Sequence, residues 1–139
     1  MTKLRNNVRT GALGSMALAI FTMISACSSS SPTEPTAIAA CTGNVTVSIS
    51  SGTAPTFTWS PSCNVFAVLV EDDASDQWYL VKQGDGIAPG VRYGVVPQGA
   101  VQESAAIPLR TGVLYDVILF SGTTMNDMKI IALRTFTPQ

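Results

Sequence analysis

Apolar and polar residues alternate through most of residues 41–139, so that every second side chain is apolar. The alternation is clearest at residues 45–49 and 57–59, and residues 66–70 carry a further row of large apolar side chains. A period of two is that of a β-strand, and no stretch here has the 3.6-residue period of a helix. Glycine and proline interrupt the pattern about every eight to twelve residues. The pattern therefore predicts an all-β domain of short antiparallel strands.

Further extended stretches flank the turn formed by Gly84, Asp85 and Gly86. We expect strands at residues 78–82, 91–96, 105–109, 113–120 and 129–136. The last two are the most hydrophobic of the chain. Segment 83–104 is long, and the pairing of its residues stays open. The pattern as a whole predicts a domain of about seven strands.

A motif with the spacing Leu-x-x-Gly-x-x-Tyr lies between two of these strands and consists of Leu109, Gly112 and Tyr115. It resembles the tyrosine corner of fibronectin type III domains, which carries the chain from strand E into strand F. The resemblance implies that the leucine fills the core and that the glycine permits a tight crossing between sheets. It also implies a buried tyrosine ring whose hydroxyl bonds to the backbone upstream.

Other features follow the order of the same family. Trp59 occupies the place of the core tryptophan on strand B, and Ser60 and Pro61 open the loop between strands B and C. The resemblance implies an immunoglobulin-like, fibronectin type III-like antiparallel β-sandwich over residues 41–139. Two features depart from the family pattern: a disulfide and the length of segment 83–104.

The amino terminus has the pattern of a secretory signal. Lys3, Arg5 and Arg9 precede a mainly apolar run at residues 11–24. The run is shorter than the about 20 residues that a transmembrane helix needs. We therefore expect residues 1–26 to be a signal peptide.

The run ends in Ile24, Ser25, Ala26 and Cys27, which resembles the lipobox of bacterial lipoproteins. The resemblance implies that Cys27 carries a diacylglycerol and usually a third acyl chain, enough for stable membrane anchoring. The alternative is an ordinary cleaved signal that leaves a free cysteine. Ser28 stands where an aspartate would favour inner-membrane retention, so we expect the outer membrane of the cell envelope.

Residues 27–40 are rich in serine and proline and predict a tether that lifts the domain clear of the lipid head groups. Cys41 and Cys63 remain for a disulfide in an oxidising compartment. They lie at equal distances from Gly52, at the centre of a turn-like stretch, so an antiparallel hairpin brings them together. A redox-active pair is the alternative, but it needs Cys-x-x-Cys spacing or an electropositive setting.

The composition narrows the function. The chain has no histidine, which excludes Ser-His-Asp and Cys-His catalysis and histidine zinc sites. Its net charge is −1, and loss of the basic signal makes the remainder more acidic. We therefore expect no nucleic-acid partner. No cofactor or metal is expected either.

Two groups of residues are candidates for binding. Trp78 and Tyr79 are neighbours in a predicted strand, so one ring points inward and one outward, and with Tyr93 they could form a platform for a sugar or a protein. The alternative is an edge-strand aromatic packed on its neighbours. The second group is a cluster of carboxylates that consists of Glu71, Asp72, Asp73 and Asp76. These side chains either belong to a solvated loop between strands C and C′, or form a calcium site or an acid/base pair.

These observations predict a lipid-anchored, non-catalytic envelope protein whose β-sandwich binds a protein or a glycan. A purely structural spacer is the first alternative, and a carboxylate-based enzyme acting on glycans is a remote one. A binder should expose a contiguous apolar or aromatic patch, whereas a spacer should not.

Overall fold

The computed structural model describes residues 37–139. This part of the chain contains eight strands, and no helix in it is long and apolar enough to cross a membrane. The predicted signal peptide, the predicted lipobox with Cys27 and residues 28–36 of the predicted tether lie outside the described residues. The strands are β1 (Thr46–Ile49), β2 (Thr56–Ser60), β3 (Ala67–Glu71), β4 (Asp76–Val81), β5 (Val91–Arg92), β6 (Val101–Ser104), β7 (Tyr115–Ser121) and β8 (Lys129–Phe136).

The strands form two antiparallel sheets. The three-stranded sheet has the order β1-β2-β5, and the five-stranded sheet has the order β6-β4-β3-β7-β8. Both sheets contribute apolar side chains to one core, which is the arrangement of a β-sandwich. The all-β prediction is confirmed, and the described part has one strand more than the expected seven.

The core lies between the facing sides of the two sheets. Phe57 and Trp59 enter it from β2, and Trp78, Leu80 and Val117 enter it from the five-stranded sheet. All five are at most 5% exposed. Burial of each large side chain in this way contributes about 1.5–3 kcal/mol to the stability of the fold. Because alternation along a strand puts every second side chain on the facing side, the apolar residues hold the two sheets together.

A disulfide between Cys41 and Cys63 closes the end of the β1–β2 hairpin, as the sequence predicts. Their Cα atoms are 5.0 Å apart, and Gly52 lies in the turn with a φ of 98°. The indole Nε1 of Trp59 donates a hydrogen bond to the Cys63 carbonyl at 2.7 Å. The disulfide therefore holds Cys41, at the start of the domain, close to the buried Trp59.

The turn at residues 84–87 packs closely on the segment after the disulfide. The Asn64 side-chain amide donates to the carbonyls of Ile38 and Asp85, at 3.1 and 2.6 Å. Gly86 has a φ of 73°, and a Cβ there would lie 2.8 Å from the Val65 carbonyl oxygen. Only glycine fits both the positive φ and the close approach. Residues before Cys41 thus already pack on the domain.

Two predicted strands differ from the observed ones. The strand expected at residues 91–96 ends at Arg92, because the chain turns at Gly94 with a φ of 76°. The strand expected at residues 105–109 is wrong, since β6 occupies Val101–Ser104 instead. Pro108 has no N–H to pair, and the Ile107 amide donates to the Gln77 carbonyl in an isolated contact. Residues 105–114 therefore cross the sandwich without joining a ladder.

The predicted corner has the expected local geometry. The Tyr115 ring is buried, and its hydroxyl oxygen accepts a hydrogen bond from the Arg110 backbone N–H at 3.0 Å. Leu109 is buried, and Gly112 has a φ of 79°. The preceding strand, however, is β6, which lies in the same sheet as β7. The expectation that the corner follows a strand of the opposite sheet is therefore wrong.

Candidate functional site

Trp78 and Tyr79 point to opposite sides of the five-stranded sheet. Trp78 is fully buried in the main core, whereas Tyr79 is half-buried on the other side. The Tyr79 hydroxyl donates towards the Sδ atoms of Met128 at 3.6 Å and Met125 at 3.8 Å. Desolvation raises the pKa of Tyr79, and the charges of Glu103 and Asp76 add to the effect. Tyr79 is therefore the outward ring of the pair.

Tyr93 does not extend an aromatic platform. It is 6% exposed, and its ring packs against Trp78 with centroids 5.2 Å apart. Its hydroxyl donates to the carbonyls of Ile107 at 2.6 Å and Gln77 at 3.0 Å, and burial raises its pKa to about 12. The predicted platform of Trp78, Tyr79 and Tyr93 is therefore wrong, because the rings of Trp78 and Tyr93 lie in the core. The Tyr93 hydroxyl also holds the crossing segment, residues 105–114, in place through Ile107.

The five-stranded sheet instead carries an apolar surface on the side turned away from the three-stranded sheet. We call this surface the outer face. Strand register places its side chains in two rows across the sheet. One row consists of Tyr79, Leu69, Ile118 and Leu133. The other consists of Val101, Val81, Ala67, Phe120 and Ile130.

Much of the outer face is open to solvent at its two edges. Val101, Ile130 and Leu133 are each 58% exposed, while Ala67 and Val81 at the centre are covered by their neighbours. The face is apolar from the β6 edge to the β8 edge, but its solvent-exposed apolar side chains lie at these two edges and its centre is buried. Patches of this kind mark interaction sites on soluble domains.

The sequence contains a signal for this face that the alternation alone does not reveal. Residues 67–70 and 117–120 are apolar at every position, without the polar partner expected on a solvated side. Continuous apolar runs are typical of strands covered on both faces. In this fold one side of each run enters the main core, and the other side is buried at the centre of the sheet in a second cluster of Phe66, Ala67 and Val81, against which Tyr79, Phe120 and Met128 pack.

A loop of residues 122–128 borders the outer face and carries Met125 and Met128. Met125 is 50% exposed. The Asp127 carboxylate accepts hydrogen bonds from the backbone N–H and hydroxyl groups of Thr124 and Thr123. These bonds, the Thr124 backbone bond foremost, hold the pKa of Asp127 well below its ordinary value. The Asp127 carboxylate thereby fixes the shape of the loop that carries the two methionines.

Carboxylates border the opposite end of the outer face. The strand register places three carboxylates side by side across β4, β3 and β7, and we call them the acidic row: Asp76, Glu71 and Asp116. The Thr135 hydroxyl donates to Asp116 at 2.6 Å. Desolvation raises the pKa of Glu71, and the charges of Asp76 and Asp116 raise it further. Among the described residues the single ion pair is Lys82–Asp85, so no cation neutralises this row.

The acidic row lines a cleft of about 580 Å³, which also contains the turn between β3 and β4 and the side chain of Leu114. Asp72 accepts hydrogen bonds from the Ala74 and Ser75 amides at 3.0 Å, which stabilises the turn. Within residues 37–139, no group of acidic or cysteine side chains is placed to hold a metal ion. The cleft offers open carboxylates to a cation on a larger molecule.

Comparison of the chain with protein family models, with curated proteins and with solved structures finds no match.

Proposed function

We propose that this chain is a lipid-anchored, non-catalytic protein of the cell envelope whose fibronectin type III-like β-sandwich binds a protein or glycan partner. The outer membrane is the proposed location. Membrane contact is through acyl chains on Cys27, and residues 27–40 form the tether, whose last three residues already lie against the domain at Asn64. The outer face is the observation that carries the binding role.

The family assignment is supported by several placements in order along the chain. Trp59 lies buried on β2, which takes the place of strand B, and β3 and β4 take the places of C and C′. Tyr115 begins β7, in the place of strand F, with its hydroxyl bonded to the Arg110 backbone. The position of β6 beside β4 is a departure from the pattern.

A binding role is favoured over a spacer by the apolar side chains that the outer face exposes along β8. A spacer has no use for Ile130 and Leu133, each 58% exposed on the same strand, since such a surface promotes aggregation. A non-catalytic role is supported by the absence of histidine, the side chain whose ordinary pKa lies near neutrality, from the sequence.

The anchor is tested by metabolic labelling of cells with an alkyne fatty acid. Wild type and the tether variant Ser29→Ala should incorporate the label and fractionate with membranes. Cys27→Ser should do neither, because the thioether that holds the diacylglycerol needs the thiol. Equal labelling of all three proteins contradicts the proposal.

The binding role is tested with the full chain on a glycan array and in cross-linking with envelope extract. Leu133→Glu places a charge on the outer face, and Val95→Glu is the matched control, since Val95 is 53% exposed and follows β5 of the other sheet. We expect a partner that wild type and Val95→Glu retain and Leu133→Glu loses. No partner, or equal retention by all three, favours the spacer.

A further inference from the structure

The outer face and the acidic cleft form one continuous surface. Along β7, Ile118 of the apolar row is followed at the next outward position by Asp116 of the acidic row. Along β3, Leu69 and Glu71 have the same relation. A molecule lying along these strands therefore meets apolar side chains first and carboxylates at the end of the sheet.

The cleft is suited to a cationic side chain that has an apolar stem. Leu114 is 65% exposed on its wall, beside Glu71 and Asp116. Lysine and arginine place methylene groups on apolar surfaces and their charge among carboxylates. A cation there would also relieve the mutual repulsion that contributes to the raised pKa of Glu71.

We infer that the outer face binds a polypeptide segment of a partner protein that carries apolar side chains and a lysine or arginine, with the basic side chain in the acidic cleft. This inference rests on the proposed binding function and specifies its surface and the chemistry of its partner.

Other occupants fit the charges and shapes less well. A second copy would place the acidic row against another acidic row or beside loop 122–128, where Lys129 is the one neighbouring cation and Asp127 carries the opposite charge. An anionic lipid surface would be repelled by the row. A sugar stacks on an open aromatic ring, whereas the rings of Tyr79 and Phe120 on this face are both partly buried, and the Tyr79 hydroxyl lies against Met128.

The test is selection of a phage-displayed library of random 12-residue peptides on the full chain purified from membranes. Selected clones should be enriched in lysine or arginine and in large apolar residues relative to the input library. Their affinity should fall when NaCl is raised from about 0.1 M to about 1 M, since this shortens the screening length from about 10 Å to about 3 Å.

Variants assign the site. Leu133→Glu should weaken peptide binding by at least about tenfold, and the double variant Glu71→Gln, Asp76→Asn should weaken it and reduce its salt dependence. Val95→Glu and Asp85→Asn are matched controls on other surfaces and should bind as wild type does. Near-ultraviolet circular dichroism checks folding, and Ile130→Glu, also at a 58% exposed position, replaces Leu133→Glu if that variant unfolds.

Enriched acidic or uncharged peptides, peptides that bind every folded variant equally, or no enriched peptide would each overturn the inference. A dimer in sedimentation velocity that Leu133→Glu dissociates would also overturn it, because the face would then bind a second copy. If peptides fail while a glycan is retained by wild type, this inference fails and the proposed function stands. If neither peptide nor glycan nor envelope protein binds, both fail.

Discussion

The hydroxyl oxygen of Tyr115 accepts a hydrogen bond from the backbone N–H of Arg110 at 3.0 Å. This contact ties the first residue of β7 to the end of the segment that crosses from β6. The ring also packs against Phe136, with centroids 5.9 Å apart. The corner therefore joins the crossing segment, β7 and β8 at one point beside the acidic cleft.

Removing the hydroxyl should loosen this corner. Tyr115→Phe leaves the Arg110 N–H without its acceptor, at a cost of about 1 kcal/mol, since Arg110 is exposed and water replaces part of the bond. Leu109→Ala opens a cavity beneath the corner and should cost about 2–5 kcal/mol. Urea midpoints measure both effects. Midpoints equal to wild type would contradict the role of the corner.

The disulfide should supply a large part of the stability of the domain. Cys41 and Cys63 are separated by 22 residues, and a crosslink closing a loop of that size contributes about 3 kcal/mol. Replacing both cysteines with alanine should lower the free energy of unfolding by this amount. Reductant should destabilise wild type and leave the double variant unchanged. Free thiols in the exported protein, detected by mass spectrometry, would refute the bridge in the cell.

Trp78 and Tyr79 should differ sharply on substitution. Trp78→Ala empties a fully buried site and should cost about 3–5 kcal/mol. Tyr79→Ala removes a half-buried ring and should cost about 1 kcal/mol. Trp78→Phe is informative because Nε1 of Trp78 has no hydrogen-bond acceptor among the described residues, so loss of the N–H partly offsets the lost volume. Thermal unfolding of the three variants measures the order, and equal effects of the two alanine variants would contradict the assigned sides.

Glu71 should make stability depend on pH. Its pKa in the folded protein is raised above the ordinary 4.5, first by desolvation and then by Asp76 and Asp116. Stability from its protonated form is present below pH 4.5 and is lost as the pH rises through the folded-state pKa. Glu71→Gln should therefore be more stable than wild type at pH 7, by less than about 1 kcal/mol because the side chain is partly exposed, and the difference should vanish in acid. Denaturant titrations across pH measure this difference, and a variant less stable than wild type at pH 7 would disprove it.

Local sequence patterns were sufficient for those features that depend on neighbouring residues. Alternation at residues 45–49 and 57–59 predicted β1 and β2, because a strand that buries one face must alternate. The position of Cys41 and Cys63 about Gly52 predicted their bridge, although the register that pairs Thr46 with Ser60 leaves the two cysteines two residues out of step and the chain beside them pairs in parallel. The resemblance of Leu109, Gly112 and Tyr115 to a tyrosine corner implied the hydroxyl contact, which closes within five residues.

The tertiary structure decided which side of each strand becomes core and which becomes surface. The sequence analysis placed Tyr93 on an exposed platform, yet the ring is buried because Trp78 and residues 105–114 cover it. Residues 105–109 were expected to form a strand, but only the Ile107 amide pairs with β4, at the Gln77 carbonyl, and Pro108 has no N–H with which to continue a ladder. The outer face exists only because β3, β4 and β7 pair in one register, which brings residues distant in the chain into the same rows. Strand pairing over long sequence separations decides such placements, and a local pattern of apolar residues does not specify it.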